Sequence, residues 1–550
     1  MGQNLRLNCT AHLMQRLLLT AFFILAVSAL AVGISQGERY LQAFALALLG
    51  LFLYTALCVP AAKRLEHLGP LRLWLLLTIL CVAIKVFWIW RVRVPLAGDY
   101  SVFWGYANAL SERTTVYGGR YMALFPHIFG YADFLSWFIR LSGPQPMLAP
   151  VLNVLLTVCS GSFLYHLCLR WFHLPAATLA YLLWILCPSQ TIYNSLVLSE
   201  PLYTALILGV LSLLTETERF AALKGYPLWM GVLSGTAGGV LLRWVNGVRP
   251  IAAILLIALL LWLSLLNLNR LAARNWRRWW GLCMAGVLGA YALLGPVWNA
   301  RLSVRIGEEP SHTPGYSLLV GFNPDSGGRW NQEDSDRLYG YSDQPGATAQ
   351  WTQEQLLADA EARILSGEID FSKLLKQKLR TFLGSDDACV GYSASVLQHT
   401  AFFSLLCNGF YYAAFLLAIG GAVQVWRSRE RITIAGTTLY LRADPGTDAG
   451  RGGGALPLLN DTHAFTAWTG DMEEGRGGIE IRGRSQRERP PISIFQGGWG
   501  WISSSFVPAG SPWPPSADFR CPHEYRSGLC SGFRVPTPPE ACARPHHSAA

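Results

Sequence analysis

The sequence predicts an all-α polytopic membrane protein of about ten transmembrane helices, with an extracytoplasmic first loop, a late extracytoplasmic segment and a disordered C-terminal tail. Three observations lead there. Apolar residues make up 52% of the 550-residue chain and charged residues only 14%, against about 25% charge in a soluble domain. The apolar residues fall in blocks close to the roughly 20 residues that a helix needs to cross a bilayer. Arginines gather at the ends of those blocks, where topology signals sit. The formal charge of +10 therefore speaks for orientation, and against nucleic acid as a partner.

Ten blocks read as spans: 17–34, 40–58, 71–90, 147–169, 176–195, 201–215, 228–243, 250–267, 280–298 and 401–425. The first follows Arg6 and Arg16 with no small-residue cleavage site, which predicts a retained signal anchor. With the N-terminus in the cytoplasm of a cell membrane, one alternating path puts Lys63, Arg64 and Arg72, then Arg170 and His173, Lys224, the Arg270–Arg278 cluster and Arg427, Arg429 and Arg431 on the inside. Arg91, Arg93, Arg243 and Arg249 fall on the outer side as exceptions. The domains expected are residues 1–298, a multi-span unit with its first outer loop near 91–146; 299–400, an extracytoplasmic segment; 401–426, the last transmembrane helix; and 427–550, the tail.

Residues 121–141 are apolar, yet Pro126, His127 and Asp133 suit an interfacial or re-entrant segment on the outer face better than a span. In the late outer segment, Thr352 and Gln355 form a capping-box pattern that opens a helix which Gly367 can close. A basic helix follows near 371–383 and is expected at the membrane surface. Beyond about Arg431 the chain turns rich in Gly, Pro, Arg and Ser without a period, the composition of a disordered segment. Its irregular Trp, Cys and Pro spacing reads as an out-of-frame end replacing further spans.

The twelve cysteines form no CxxC pair, and neither a disulfide framework nor a zinc site is readable. Phosphate-cradling loops, HExxH pairs and serine elbows are absent. The informative stretch is Val94-Pro95-Leu96-Ala97-Gly98-Asp99-Tyr100, an acidic residue just outside a span, followed by the aromatic FWGYANAL and later by Phe125-Pro126-His127-Ile128-Phe129-Gly130-Tyr131. With Ser199-Glu200-Pro201-Leu202-Tyr203 opening one span and Arg249-Pro250 opening another, residues 70–425 resemble the GT-C superfamily of polyprenyl-phosphate-sugar glycosyltransferases. The likeness is to family 39, which includes protein O-mannosyltransferases and the lipid A aminoarabinose transferase. That family often has Asp-Glu where this chain has Asp99-Tyr100, so a role for two adjacent carboxylates finds only one.

The resemblance implies transfer of a sugar from a polyprenyl-phosphate donor to a protein, lipid or cell-wall glycan acceptor at the outer face, with inversion and with Asp99 as general base. Tyr100, His127, Glu200, Arg243, Arg249 and Lys85 are the expected substrate-binding residues. No cofactor is called for by a motif; a divalent metal is the one candidate, to share with arginine the charge of the departing phosphate. Each residue also has a structural reading. Asp99 suits a helix cap, Glu200 a helix N-terminus, and Arg243 and Arg249 the headgroup layer. Lys85 suits snorkelling or an acidic partner, and Tyr106, Tyr117 and Tyr121 an interfacial belt. The alternative functions are a transporter or flippase of lipid-linked saccharides, and an oligosaccharide polymerase or ligase.

Overall fold

A computed structural model describes residues 2–112, 115–116, 119–221, 227–262 and 274–427. The tail from 428, Tyr117, Lys224, Arg270, Arg429 and Arg431 lie outside the described residues. Every regular element among the described residues is helical, and six stretches are long and apolar enough to cross a membrane: Arg16–Ile34, Glu38–Arg91, Leu148–Trp171, Leu228–Val248, Asn275–Ile306 and Thr400–Val423. The expected count of ten is not reached, for local reasons. Blocks 40–58 and 71–90 fall in one helical run of 54 residues. Block 176–195 is divided where Pro188 starts a new helix, leaving Leu174–Leu186 and Pro188–Tyr193. Described helix in block 250–267 is the ten-residue Ala252–Leu261.

In chain order the helices are α1 (Gly2–Ile34), α2 (Glu38–Leu53), α3 (Val59–Leu65), α4 (Gly69–Arg91), α5 (Asp99–Ser111), α6 (Arg120–Leu124), α7 (His127–Ser142), α8 (Leu148–Trp171), α9 (Leu174–Leu186), α10 (Pro188–Tyr193), α11 (Glu200–Ala221), α12 (Leu228–Val248), α13 (Ala252–Leu261), α14 (Arg274–Ile306), α15 (Gly315–Gly321), α16 (Gln332–Ser342), α17 (Ala349–Leu365), α18 (Phe371–Leu383), α19 (Ala388–Tyr392) and α20 (Thr400–Arg427).

Helix α4 shows how such a sequence partitions. Leu73, Leu77, Cys81, Lys85 and Ile89 are buried at a four-residue spacing against α8 and α9, whereas Leu75, Leu76, Ile79, Phe87 and Trp90 are exposed. A helix apolar on every side but buried on one is a lipid-facing helix. The chain is a helical membrane protein.

The tightest helix pair is α12 with α14. Gly231, Gly235 and Gly239 recur every fourth residue on one face of α12, so the two backbones meet without side chains between them. A Cβ on Gly235 would lie 2.0 Å from the Cys283 carbonyl oxygen, and one on Gly239 would lie 2.4 Å from that of Val287. The same device seats α7. A Cβ on Gly130 would stand 2.2 Å from the Gly247 carbonyl oxygen, so α7 rests directly on the end of α12.

The segment 121–141 is two helices, α6 and α7, separated at Phe125-Pro126, and is not among the six long apolar stretches. In the late segment 299–400 the helix opened by the capping-box pattern starts earlier than expected. Thr348, not Thr352, is the N-cap and accepts from the Trp351 amide at 3.1 Å, while Thr352 is buried inside α17. Gly367 follows that helix with φ 75°, the left-handed conformation that glycine supplies after a helix end. The basic helix is found at Phe371–Leu383. α17 packs on α6, and Gln353 of α17 donates to the Leu124 carbonyl at 3.1 Å, which ties the late segment to the first loop.

Candidate active site

Five of the seven expected site residues converge: Asp99, Tyr100, His127, Glu200 and Arg249. Gly98, at φ 55°, turns the chain out of the extended Val92–Ala97 stretch, and Asp99 is the first residue of α5. The helix starts at Asp99 rather than two residues later, so the carboxylate is not the cap of a helix beginning at Ser101. Its side chain reaches solvent, yet the protein packed around it pushes the carboxyl pKa up, and no charged partner offsets the burial.

Glu200 opens α11, and Arg249 follows the last residue of α12. The two are buried and paired at 2.5 Å, with side chains 5% and 10% exposed. The pair is incompletely satisfied: Glu200 Oε2 and Arg249 Nε are buried without a hydrogen-bond partner, as is the Tyr131 hydroxyl beside them. A buried polar atom left unpaired costs about 1–3 kcal/mol, so these three are open to a further polar partner.

Electrostatics binds these pieces into one site. Glu200 lies within reach of Asp99, and His127 within reach of Arg249. Burial, followed by the Arg249 charge, lowers the His127 pKa to about 4, so its imidazole is neutral at physiological pH. The Tyr100 hydroxyl donates to the Tyr392 carbonyl at 3.2 Å, and Tyr392 faces Glu200, Asp99 and Arg249. Burial pushes the phenols of Tyr100, Tyr121 and Tyr392 up, which keeps them protonated as donors.

A group of aromatic residues adjoins this cluster. Tyr121 is within electrostatic reach of Asp99, Tyr316 and Tyr339, and Phe125 stacks against Tyr121 and Tyr316 with centroids at 4.9 and 5.5 Å. α15 and α16 of the late segment thus adjoin the first loop.

Two expected residues sit elsewhere. Arg243 bonds the Gly295 carbonyl and Asn299 Oδ1, both at 3.3 Å, and its guanidinium lies over the Tyr291 ring at 5.7 Å. All these partners are on α14. Lys85 neither snorkels nor meets a carboxylate: wholly buried, it donates to the Ile185 carbonyl at 3.0 Å and to Thr191 Oγ1, holding α4 to the break between α9 and α10. Reading the sequence missed Tyr131 and Tyr392. Tyr131 lies in the quoted aromatic stretch, but Tyr392 stands 292 residues from its partner Tyr100 in a segment with no local signal.

Among the described residues, no three His, Cys, Asp or Glu side chains gather closely enough to hold a metal ion. No family model, curated protein or solved structure matches this chain.

Proposed function

We propose that the protein is a glycosyltransferase that moves a sugar from a polyprenyl-phosphate donor to an acceptor at the outer face of a cell membrane, with its N-terminus in the cytoplasm. The observation that supports the reading is the nearness of exposed Asp99 to the buried Glu200–Arg249 pair, three residues drawn together from distant parts of the chain.

The chemistry follows from the charges. The acceptor hydroxyl oxygen attacks the anomeric carbon, and the carbon–oxygen bond to phosphate breaks with its electron pair remaining on the phosphate. The hydroxyl proton passes to Asp99, and the configuration inverts. Arg249 offers its unpartnered Nε–H to the phosphate as negative charge grows there. Protonation neutralises Asp99 at the same moment, so the site becomes less negative as the leaving group becomes more so. Neutral His127 and the tyrosine hydroxyls hydrogen-bond the sugar without adding charge. A divalent cation that assisted this step would be held jointly by protein carboxylate and donor phosphate. The acceptor is a protein, a lipid or a wall glycan; the resemblance to family 39 spans all of these.

The test supplies purified protein in liposomes with a polyprenyl-phosphate monosaccharide and measures free polyprenyl phosphate and glycosylated acceptor. Release of the lipid phosphate together with sugar transfer is expected. Movement of intact donor across the bilayer without its cleavage would favour a flippase, and consumption of a lipid-linked polymer alone would favour a polymerase or ligase.

A further inference from the structure

A second charged cluster lies at the far end of α5 from Asp99, and the chemistry above makes no use of it. Asp133 on α7 is buried and takes a bidentate pair of hydrogen bonds from Arg301 of α14, both at 2.8 Å. Arg140 of α7 donates to the Ser111 and Leu110 carbonyls at 3.0 and 2.6 Å, and Arg305 of α14 also donates to Leu110. These three guanidiniums lie within electrostatic reach of the one carboxylate, and Arg305 within reach of the other two arginines. The C-terminus of α5 adds about half a negative charge. A surplus of roughly +0.5 remains once that, Asp133 and the exposed Glu112 at the end of α5 are set against the three arginines. The following acidic residues turn elsewhere: Glu308 pairs with Arg120 at 3.0 Å, and Glu309 accepts from Ser303 at 3.2 Å.

The surroundings identify what the surplus charge meets. α14 has 33 residues and runs about 50 Å, longer than the ~30 Å hydrocarbon core, so its last turns emerge at the headgroup level. Trp137, Leu141, Val297 and Val304 are exposed beside the arginines, and Arg140 stacks on Trp137 at 5.2 Å. Arg301 keeps 43% of its side chain exposed. Cations at the edge of an exposed apolar face match a molecule with an anionic head and hydrocarbon tails.

We infer that Arg140, Arg301 and Arg305 form a binding site for the phosphate of an anionic membrane phospholipid, whose acyl chains lie along the exposed faces of α7 and α14. The site is separate from Asp99: Asp99 and Ser111 stand at opposite ends of α5, a rise of about 18 Å.

The full chain is reconstituted in nanodiscs of phosphatidylcholine with phosphatidylglycerol, and lipid retained through detergent exchange is counted by native mass spectrometry. Wild type is expected to keep phosphatidylglycerol at least fivefold more than an Arg140→Gln/Arg305→Gln variant, which leaves the Arg301–Asp133 pair whole. Phosphatidylcholine retention should be equal in both. A measurement on folded protein without an arginine change stands beside it. Brominated phosphatidylglycerol should quench Trp137, isolated as the difference from Trp137→Phe, more strongly than brominated phosphatidylcholine does. Equal retention by wild type and variant, or equal quenching by both lipids, would overturn the inference. So would protection of the wild type from heat by millimolar inorganic phosphate as strong as that by phosphatidylglycerol, since the ligand would then be free phosphate.

Discussion

At the residue scale, the proposed transfer rests on a carboxylate whose surroundings disfavour its charge. Asp99 has no cation to offset its burial, so the acid limb of its pH–rate profile is expected above the ordinary carboxylate value of about 3.9. Transfer should fall as pH drops through that limb, because the base must be ionised to accept a proton; a limb at or below 3.9 would contradict the assignment. Asp386, in the turn before α19, is a structural counterpart. Burial raises its pKa to about 7 while Ser189 hydrogen-bonds its carboxyl. Its folded-state pKa exceeds the unfolded one, so the stability it contributes is complete below about pH 4 and is lost as pH rises through about 7, on the order of 4 kcal/mol in all. Asp386→Asn should flatten thermal stability between about pH 4 and 7, and an unchanged slope would assign the dependence to another group. The Glu200–Arg249 pair allows structure and function to be separated. Glu200→Gln alone leaves a buried guanidinium uncompensated and should cost about 3–5 kcal/mol. The Glu200→Gln/Arg249→Met double variant should recover most of that stability while remaining unable to transfer sugar. Recovery of transfer with stability would remove Arg249 from the phosphate's path.

Elements decide how closely these residues meet, and glycine decides how closely the elements meet. The α12–α14 contact admits no Cβ at Gly235, so Gly235→Val should destabilise the protein by more than about 3 kcal/mol, beyond ordinary overpacking; a smaller loss in thermal or denaturant unfolding would show that α14 moves aside. Much of this level was legible in the sequence. A helix after Asp99 was expected, though from Ser101 or Val102 and not from Asp99 itself, and the basic α18 was expected within its observed bounds, whereas the close approach at Gly231, Gly235 and Gly239 was not anticipated. What was not legible is pairing over distance. Arg243 and Arg249 look alike in the sequence, both being arginines on the unexpected side of a span. Six residues of α12 send one to α14 and the other to Glu200, and no local pattern distinguishes them. Lys85 was readable as functional because charge within a span is costly, but its cost is met by a carbonyl freed where α9 breaks at Pro188, a partner 100 residues away.

For the whole molecule, the reading requires the first loop and the late segment to share one face of the membrane, and the contact of α17 with α6 joins them. Orientation then follows from the arginine distribution. Cysteine introduced at exposed Ser366 should react with an impermeant maleimide on intact cells, and cysteine introduced at exposed His67 only after permeabilisation; the reverse pattern would invert the topology and place the Asp99 site in the cytoplasm. The membrane class was plain from composition, whereas the number of full spans was not, because apolar block length does not reveal where Pro188 breaks a helix or where two blocks join in one helical run. The account stands or falls on the Asp99 site as the place of sugar transfer. The measurement that addresses this most directly is single-turnover release of polyprenyl phosphate from a polyprenyl-phosphate monosaccharide, comparing wild type with Asp99→Asn at matched melting temperature. Release by the wild type and a loss of at least a hundredfold in the variant, within the 10²–10⁴ range for a general base, is the expected result. Equal release by the two would contradict the account.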